Sequence, residues 1–178
     1  LGAASASNAV FITPKALTVS GISATNKVYD GTTAATLSGG TLSGMVGSET
    51  LNLGAIAGAF ASKDVGTGKA VSLSTISLTD GTGSASNYTF SQPAGVTADI
   101  TPKALTVSGI TAASKVYDGS TAATLTGGTL SGLVGNETVT LGALTGAFAD
   151  KNAGNGKSVA ISGGQLGDGT GLAANYSV

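Results

Sequence analysis

The feature that most narrows what this chain can fold into is a repeat without a gap. "NKVYDGTTAATL" begins at Asn26 and "SKVYDGSTAATL" at Ser114, 88 residues further on. The same offset carries Pro14 onto Pro102, Phe60 onto Phe148, Lys69 onto Lys157 and Tyr88 onto Tyr176. From Thr13 to Phe90 roughly two thirds of the positions are identical to their partners. This period exceeds the ~20–50 residues of solenoid and propeller repeats and suits one small domain per copy. A catalytic signature needs only one copy, whereas a structural signature recurs wherever the fold is built again. Tyr29–Asp30–Gly31 therefore reads as structural. Asp-Gly favours a tight turn, and the tyrosine ahead of it can bury its ring and tie its hydroxyl to a main-chain group.

Differences between the copies carry the same message. Leu51–Asn52 becomes Val139–Thr140, Leu73 becomes Ile161 and Met45 becomes Leu133, exchanges a packed core tolerates. Thr75–Ile76 becomes Gly163–Gly164, which reads as a turn or bulge where side chains are optional. Leu17 and Val19 alternate with polar neighbours, as do Leu51 and Leu53, while Val96, Ala98 and Ile100 share one face. Val71 and Leu73 share one phase and Ile76 and Leu78 the other, so a bulge or bend is expected between them. The helical candidate is Leu42–Thr50, whose glycines limit it to a single turn. The expected fold is all-β: two tandem domains of about seven short strands each, immunoglobulin-like sandwiches set in a rod. A β-grasp-like arrangement, with Leu42–Thr50 as a shortened helix, is the alternative. Residues 1–98 form the first repeat, 1–12 resembling the tail of a preceding one, and 99–178 the second, lacking its last strand.

Composition closes off several classes of function. Eight Lys against nine acidic residues, with no Arg, leave a formal charge of -1. Nucleic acid and anionic lipid both need clustered cations, so neither is an expected partner. The absence of Cys and His removes disulfides, thiolate and imidazole metal sites, and the Ser-His-Asp triad. No apolar run approaches the roughly 18 residues of a membrane span. "LGAASASNAV" has neither a basic nor an apolar leader region, and an opening at Leu1 suggests a fragment or processed chain. High Gly (29 residues) raises the prospect of disorder, but 41% hydrophobic residues and a mean hydropathy of +0.32 favour a folded β protein rich in turns.

Catalytic, cofactor-binding and metal-binding residues are therefore all read as none, and the chain is expected not to be an enzyme. "DGTG" at Asp80–Gly83 and Asp168–Gly171 offers one carboxylate where Ca²⁺ wants several. It also lacks the GK[ST] continuation of a phosphate loop. A sharper possibility is a Lys–Asn isopeptide staple with a nearby acid. Lys27, Asp30, Glu49 and Asn87 supply the residue types, and Lys115, Asp118, Glu137 and Asn175 repeat them. The plainer reading places Lys27 at a strand edge, where it discourages unwanted pairing, and Asn87 in a turn. Sequence leaves open whether Lys27/Asn87 and Lys115/Asn175 are joined.

The ordered string "TPKALTVSGI…KVYDGTTAATL…GTLSGMVGSETLNL…GAFASKDVGTGKAVSLS…NYTF" resembles the YDG repeat of large bacterial secreted adhesins. Such repeats are associated with filamentous-haemagglutinin-like and biofilm-matrix adhesins and are related to MBG repeats. The resemblance covers nearly the whole chain twice. It implies extracellular, non-catalytic stalk or filament modules on a bacterial surface or in a secreted matrix, and carries over no cofactor. The other reading is an adhesive module for a surface glycan or protein. The low aromatic content of 4% and the lack of Trp weigh against a glycan platform. So do the tyrosines and Phe60/Phe148, which recur at equivalent positions as core residues would.

The expected core is Leu17, Val19, Val28, Tyr29, Leu37, Leu53, Phe60, Val71, Leu73, Tyr88 and Ile100 with their equivalents. "VTADITPKALTVSG" (Val96–Gly109) has no flexible linker, and Pro102 holds Thr101 extended, so one segment is expected to close the first domain and open the second. Val10 and Ile12 align with Ala98 and Ile100, whereas Val178 is followed by no equivalent of Pro93–Thr101. The expected partner is thus the repeat itself, head to tail: either the next repeat of a longer array in the same chain supplies the closing strand, or Asn8–Thr13 of a neighbouring copy pairs into the open edge left after Val178.

Overall fold

The computed structural model describes residues 11–178, so the readings placed on Asn8, Ala9 and Val10 lie outside the described residues. The protein is all-β: every regular element described is a strand, apart from single 3₁₀ turns at Ala85–Asn87 and Ala173–Asn175. The strands are shorter and more numerous than about seven per copy. Most run two or three residues, and the longest, Gly66–Leu73, runs 8. Closely spaced glycines are the reason, because they let the chain turn and let backbone meet backbone. A Cβ on Gly39 would lie 1.9 Å from the carbonyl oxygen of Gly21, and one on Gly127 2.0 Å from that of Gly109. Only glycine fits at these crossings.

The two copies pair alike. Lys15–Ser20 lies parallel to Tyr88–Phe90, with Lys15 opposite Tyr88, and antiparallel to Thr41–Ser43, with Val19 opposite Leu42. In the second copy Lys103 stands opposite Tyr176 and Val107 opposite Leu130. The Leu42–Thr50 segment is strand Thr41–Ser43 followed by one turn, closed by the Glu49 N–H to the Val46 carbonyl at 3.1 Å, so the β-grasp alternative lacks its helix. The phase change after Leu73 is a change of partner: Gly58–Phe60 pairs with the end of Gly66–Leu73, while Leu78–Asp80 pairs with Leu51–Leu53.

By contacts the chain divides into two units whose limits do not follow the repeats. Among the described residues the first takes in 11–25, Ala34–Ala61 and Ala70–Ala98; the second takes in Asn26–Thr33, Ser62–Lys69 and Asp99–Val178. In the first, Leu17, Leu51 and Tyr88 form a buried cluster flanked by Leu42, Met45, Leu78 and Phe90. Phe60 is 3% exposed and stands opposite Val71, whose N–H donates to the Val96 carbonyl at 2.9 Å. Ile76, expected where side chains are optional, is buried, and its backbone exchanges two hydrogen bonds with the Gln92 amide. In the second unit Ile100 lies parallel to Lys27, Thr101 opposite Val28, and Tyr29, Ile100, Leu105 and Tyr176 are buried.

Several expected core residues lie elsewhere. Val28 is exposed because it alternates with Tyr29 on an extended stretch, so the pleat that buries the tyrosine turns the valine outward. Val116, Tyr117 and Ile161 are exposed, and Phe148 and Val159 are only half-buried, unlike Tyr29, Phe60 and Val71. Val19, Leu37, Leu53 and Leu73 are half-buried too.

Candidate functional site

Asp30–Gly31 folds as a turn held by its own side chain. Asp30 Oδ1 accepts the Thr32 N–H at 2.8 Å, the Thr32 hydroxyl at 2.9 Å and Lys27 Nζ at 2.8 Å. Gly31 supplies the φ of +78° that closes it. Asp118 receives the same three bonds from the Ser120 N–H, the Ser120 hydroxyl and Lys115, each at 2.9 Å, and Gly119 also has φ +78°. The two turns are built identically, and they differ in what surrounds them.

Within the second unit the first turn is docked. Tyr29 is 1% exposed, and its ring meets Tyr176 edge-on, with centroids 5.4 Å apart and planes at 80°. Its hydroxyl donates to Glu137 Oε1 at 2.7 Å, and Tyr176 donates to Glu137 Oε2 at 2.7 Å. Lys63 completes the cluster, 2.7 Å from Glu137 Oε1 and 3.1 Å from the Tyr29 hydroxyl. Beside it Asn175, 1% exposed, accepts the Val65 N–H at 2.9 Å and donates to Asp64 at 2.9 Å. A Cβ on Gly31 would lie 2.8 Å from Val134 Cγ1, so the glycine allows close approach as well as the turn. Among the described residues no buried side-chain nitrogen or oxygen lacks a hydrogen-bond partner, which is what makes burying this seat tolerable.

The arrangement bears on two readings. Tyr29 does not bond a nearby main-chain group; its partner is a carboxylate 108 positions away. Lys115 is engaged by Asp118 and Ser120, and Asn175 by Val65 and Asp64, so the structure does not bring the staple residues of the second copy together. Lys27 likewise bonds Asp30 and the Thr32 carbonyl. Asp80 and Asp168 accept the Ala85 and Ala173 N–H groups, each at 2.7 Å, as turn residues. Among the described residues no group of three or more acidic side chains is placed to hold a metal. Sequence reasoning missed Lys63, Asp64 and Val65. The available signal was the joint recurrence of Tyr, Glu and Asn in both copies, which belongs to one socket.

In the first unit the equivalent socket is open. Tyr88 donates to Glu49 and accepts the Val46 N–H at 3.1 Å, as Tyr176 does from Val134, also at 3.1 Å. Yet Asn87 and Val46 are exposed, where Asn175 is buried and Val134 half-buried. In the second unit the equivalent turn stands clear: Tyr117 is 60% exposed, and nothing lies within 4 Å of a Cβ on Gly119.

The hydrogen bond from Lys63, followed by those from Tyr176 and Tyr29, lowers the pKa of Glu137 to about 2. A depressed carboxylate stabilises the fold above its unfolded pKa, here 4.5, and that contribution is lost as pH falls towards about 2. Glu137→Gln should therefore be less stable than wild type at neutral pH, with the gap closing through this window. Asp118, held at about 2 by Lys115 and Ser120, titrates in both proteins and cancels in the difference. Denaturant midpoints at a series of pH values check this; a gap independent of pH would remove Glu137's charge from the account.

A family model described as the YDG domain matches residues 13–95 and again residues 101–178. No curated protein matches the chain, and no solved structure does.

Proposed function

The chain belongs to the YDG domain family in two tandem copies, and on that footing we propose that it is a structural, non-catalytic segment of a bacterial surface or secreted-matrix adhesin. Its repeats serve as stalk modules coupled in series, outside the cell. The observation that carries this reading is the seat of Tyr29. A turn from the first repeat is buried against Val134, Glu137 and Tyr176 of the second, and both repeats carry the turn and the socket. A motif spent on joining one repeat to the next suits an array whose task is to transmit position and load.

A second reading, recognition of a glycan, has one observation in its favour. A groove of about 470 Å³ in the second unit exposes Tyr117 beside Asp150 and Asn152, the aromatic and polar groups a sugar uses. However, the equivalent tyrosine is buried against protein at position 29, which favours protein as the occupant.

Calorimetry separates the readings. Coupled modules should unfold in one cooperative transition, and Gly31→Ala should split it, because the added Cβ strikes Val134. Gly119→Ala has the same φ and an unobstructed Cβ, so it controls for backbone strain of about 1–2 kcal/mol. Two independent transitions in the wild type, with both variants behaving alike, would sink the coupling; saturable binding in a glycan screen would favour the second reading.

A further inference from the structure

The Asp168–Gly171 loop closes on the residue that follows Glu137. The Thr138 N–H donates to the Thr170 hydroxyl at 2.8 Å, and the Thr170 N–H donates to the Thr138 hydroxyl at 3.0 Å. The Gly171 N–H donates to the Thr138 carbonyl at 3.0 Å, and the Glu137 N–H to the Val134 carbonyl, also at 3.0 Å. The backbone around Glu137 is thus pinned on both flanks. We propose that Gly171 and the Thr138–Thr170 clamp are positioning residues of the Tyr29 seat: they hold the Glu137 carboxylate where the hydroxyls of Tyr29 and Tyr176 both reach it. This rests on the serial-coupling reading and assigns the part of the fold that shapes the socket for a tyrosine.

Gly169 and Gly171 are not among the glycines with positive φ, so neither is required by the backbone of the turn. What they provide is room. A Cβ on Gly169 would lie 2.4 Å from the Thr138 carbonyl oxygen. One on Gly171, which is buried, would lie 2.7 Å from Glu137 Oε2 and 3.1 Å from Glu137 Cβ. Gly171 is therefore the wall on which the glutamate side chain rests. A methyl group there pushes that side chain off the position in which Oε1 meets Tyr29 and Oε2 meets Tyr176. The first copy is built alike: a Cβ on Gly83 would lie 2.6 Å from Glu49 Oε2, and Thr50 and Thr82 exchange bonds of 2.8 and 3.1 Å.

The loop also ties the glutamate to the rest of the socket. Asp168 accepts the Ala173 N–H at the start of the 3₁₀ turn Ala173–Asn175, which leads into Tyr176. Glu137, Asn175 and Tyr176 are thereby fixed relative to one another by bonds that involve neither Tyr29 nor Lys63. A carboxylate oriented in this way loses little freedom when the tyrosine docks, so more of each hydrogen bond appears as stability.

Gly171→Ala tests the assignment, and Gly83→Ala, which makes the same contact in the first unit, is its control. A double-mutant cycle in the 178-residue chain combines each with Tyr29→Phe. In wild type and in Gly83→Ala, loss of the Tyr29 hydroxyl should lower the folding equilibrium constant about tenfold. In Gly171→Ala that factor should fall to about twofold or less. Lys63, Tyr29 and Tyr176 face the Glu137 carboxylate, so its titration, followed by NMR at the carboxyl carbon, is a second readout. The midpoint should rise from about 2 in wild type by about one unit or more in Gly171→Ala. Thr170→Val, at an exposed position, opens the clamp without adding bulk and should move both readouts the same way, while Thr170→Ser keeps the hydroxyl and should restore them. It carries the test if Gly171→Ala does not fold. A full Tyr29→Phe penalty in Gly171→Ala and Thr170→Val, with Glu137 still titrating at about 2, overturns the inference. If Gly31→Ala nevertheless splits the melting transition, the serial-coupling reading stands and this assignment alone fails. Two independent transitions in wild type would remove the serial coupling instead, and the cycle would still be read on the transition that Tyr29→Phe shifts.

Discussion

Phe60→Ala should cost about 3–5 kcal/mol, while the same change at Phe148 should cost about half as much or less. The two residues occupy equivalent places in copies that are otherwise nearly interchangeable, so the difference isolates what covers them. Phe60 is 3% exposed on a strand whose neighbour, Val71, donates to the carbonyl of Val96, and Val96 and Ala98 are buried in the same unit. Removing its ring leaves a void that close-packed surroundings refill only in part, and the cavity adds to the lost transfer free energy. Phe148 is half-buried and lines the open groove, with Lys115 Nζ 5.7 Å from the centre of its ring. Truncation there loses the cation–π contact and part of the buried area but enlarges a space already open to water. Urea denaturation of both variants in dilute solution measures the pair. Equal losses would mean that the groove does not distinguish the copies.

Much of the fold was legible because the repeat and the alternation constrain it independently. The offset made every local expectation testable twice, and the all-β class, the Asp-Gly turns and the shared face of Val96, Ala98 and Ile100 all follow from short-range chemistry. What was not legible is burial that depends on a distant partner. Tyr29 and Tyr117 sit in nearly identical sequence, yet one is buried and the other open, because only the first has Glu137 and Tyr176 over it. No local pattern distinguishes them. Ile76 illustrates the opposite failure. Its replacement by Gly164 suggested an unneeded side chain, but Ile76 is buried, and a Cβ on Gly164 would come within 2.8 Å of Leu144, which replaces Ile56. The exchange is a repacking between neighbours, invisible when positions are read singly.

Tyr29→Ala should remove about 3–5 kcal/mol from the second unit, whereas Tyr117→Ala should change stability by no more than about 0.5 kcal/mol. Both substitutions delete the same ring from the same motif, and neither disturbs the Asp-Gly turn, whose bonds come from Asp30 and Asp118. At position 29 the ring packs edge-on against Tyr176, and its hydroxyl is one of three groups on the Glu137 carboxylate. Alanine there opens a cavity and leaves Glu137 with Lys63 and Tyr176 alone. Tyr29→Phe divides the effect. It keeps the ring and deletes one hydrogen bond to a charged group, worth about 1.5–3 kcal/mol when the partner is left buried. Because Lys63 still pairs with Glu137, the loss should fall at the lower end of that range. Amide hydrogen exchange locates the loss: in Tyr29→Ala protection should drop at the Tyr29 N–H, bonded to Thr101, and at the Val65 N–H, bonded to Asn175, while the Leu17–Leu51–Tyr88 cluster keeps its own. If Tyr117→Ala proves as costly as Tyr29→Ala in dilute solution, the tyrosine acts within its own repeat, and the socket is not what the YDG motif is built to fill.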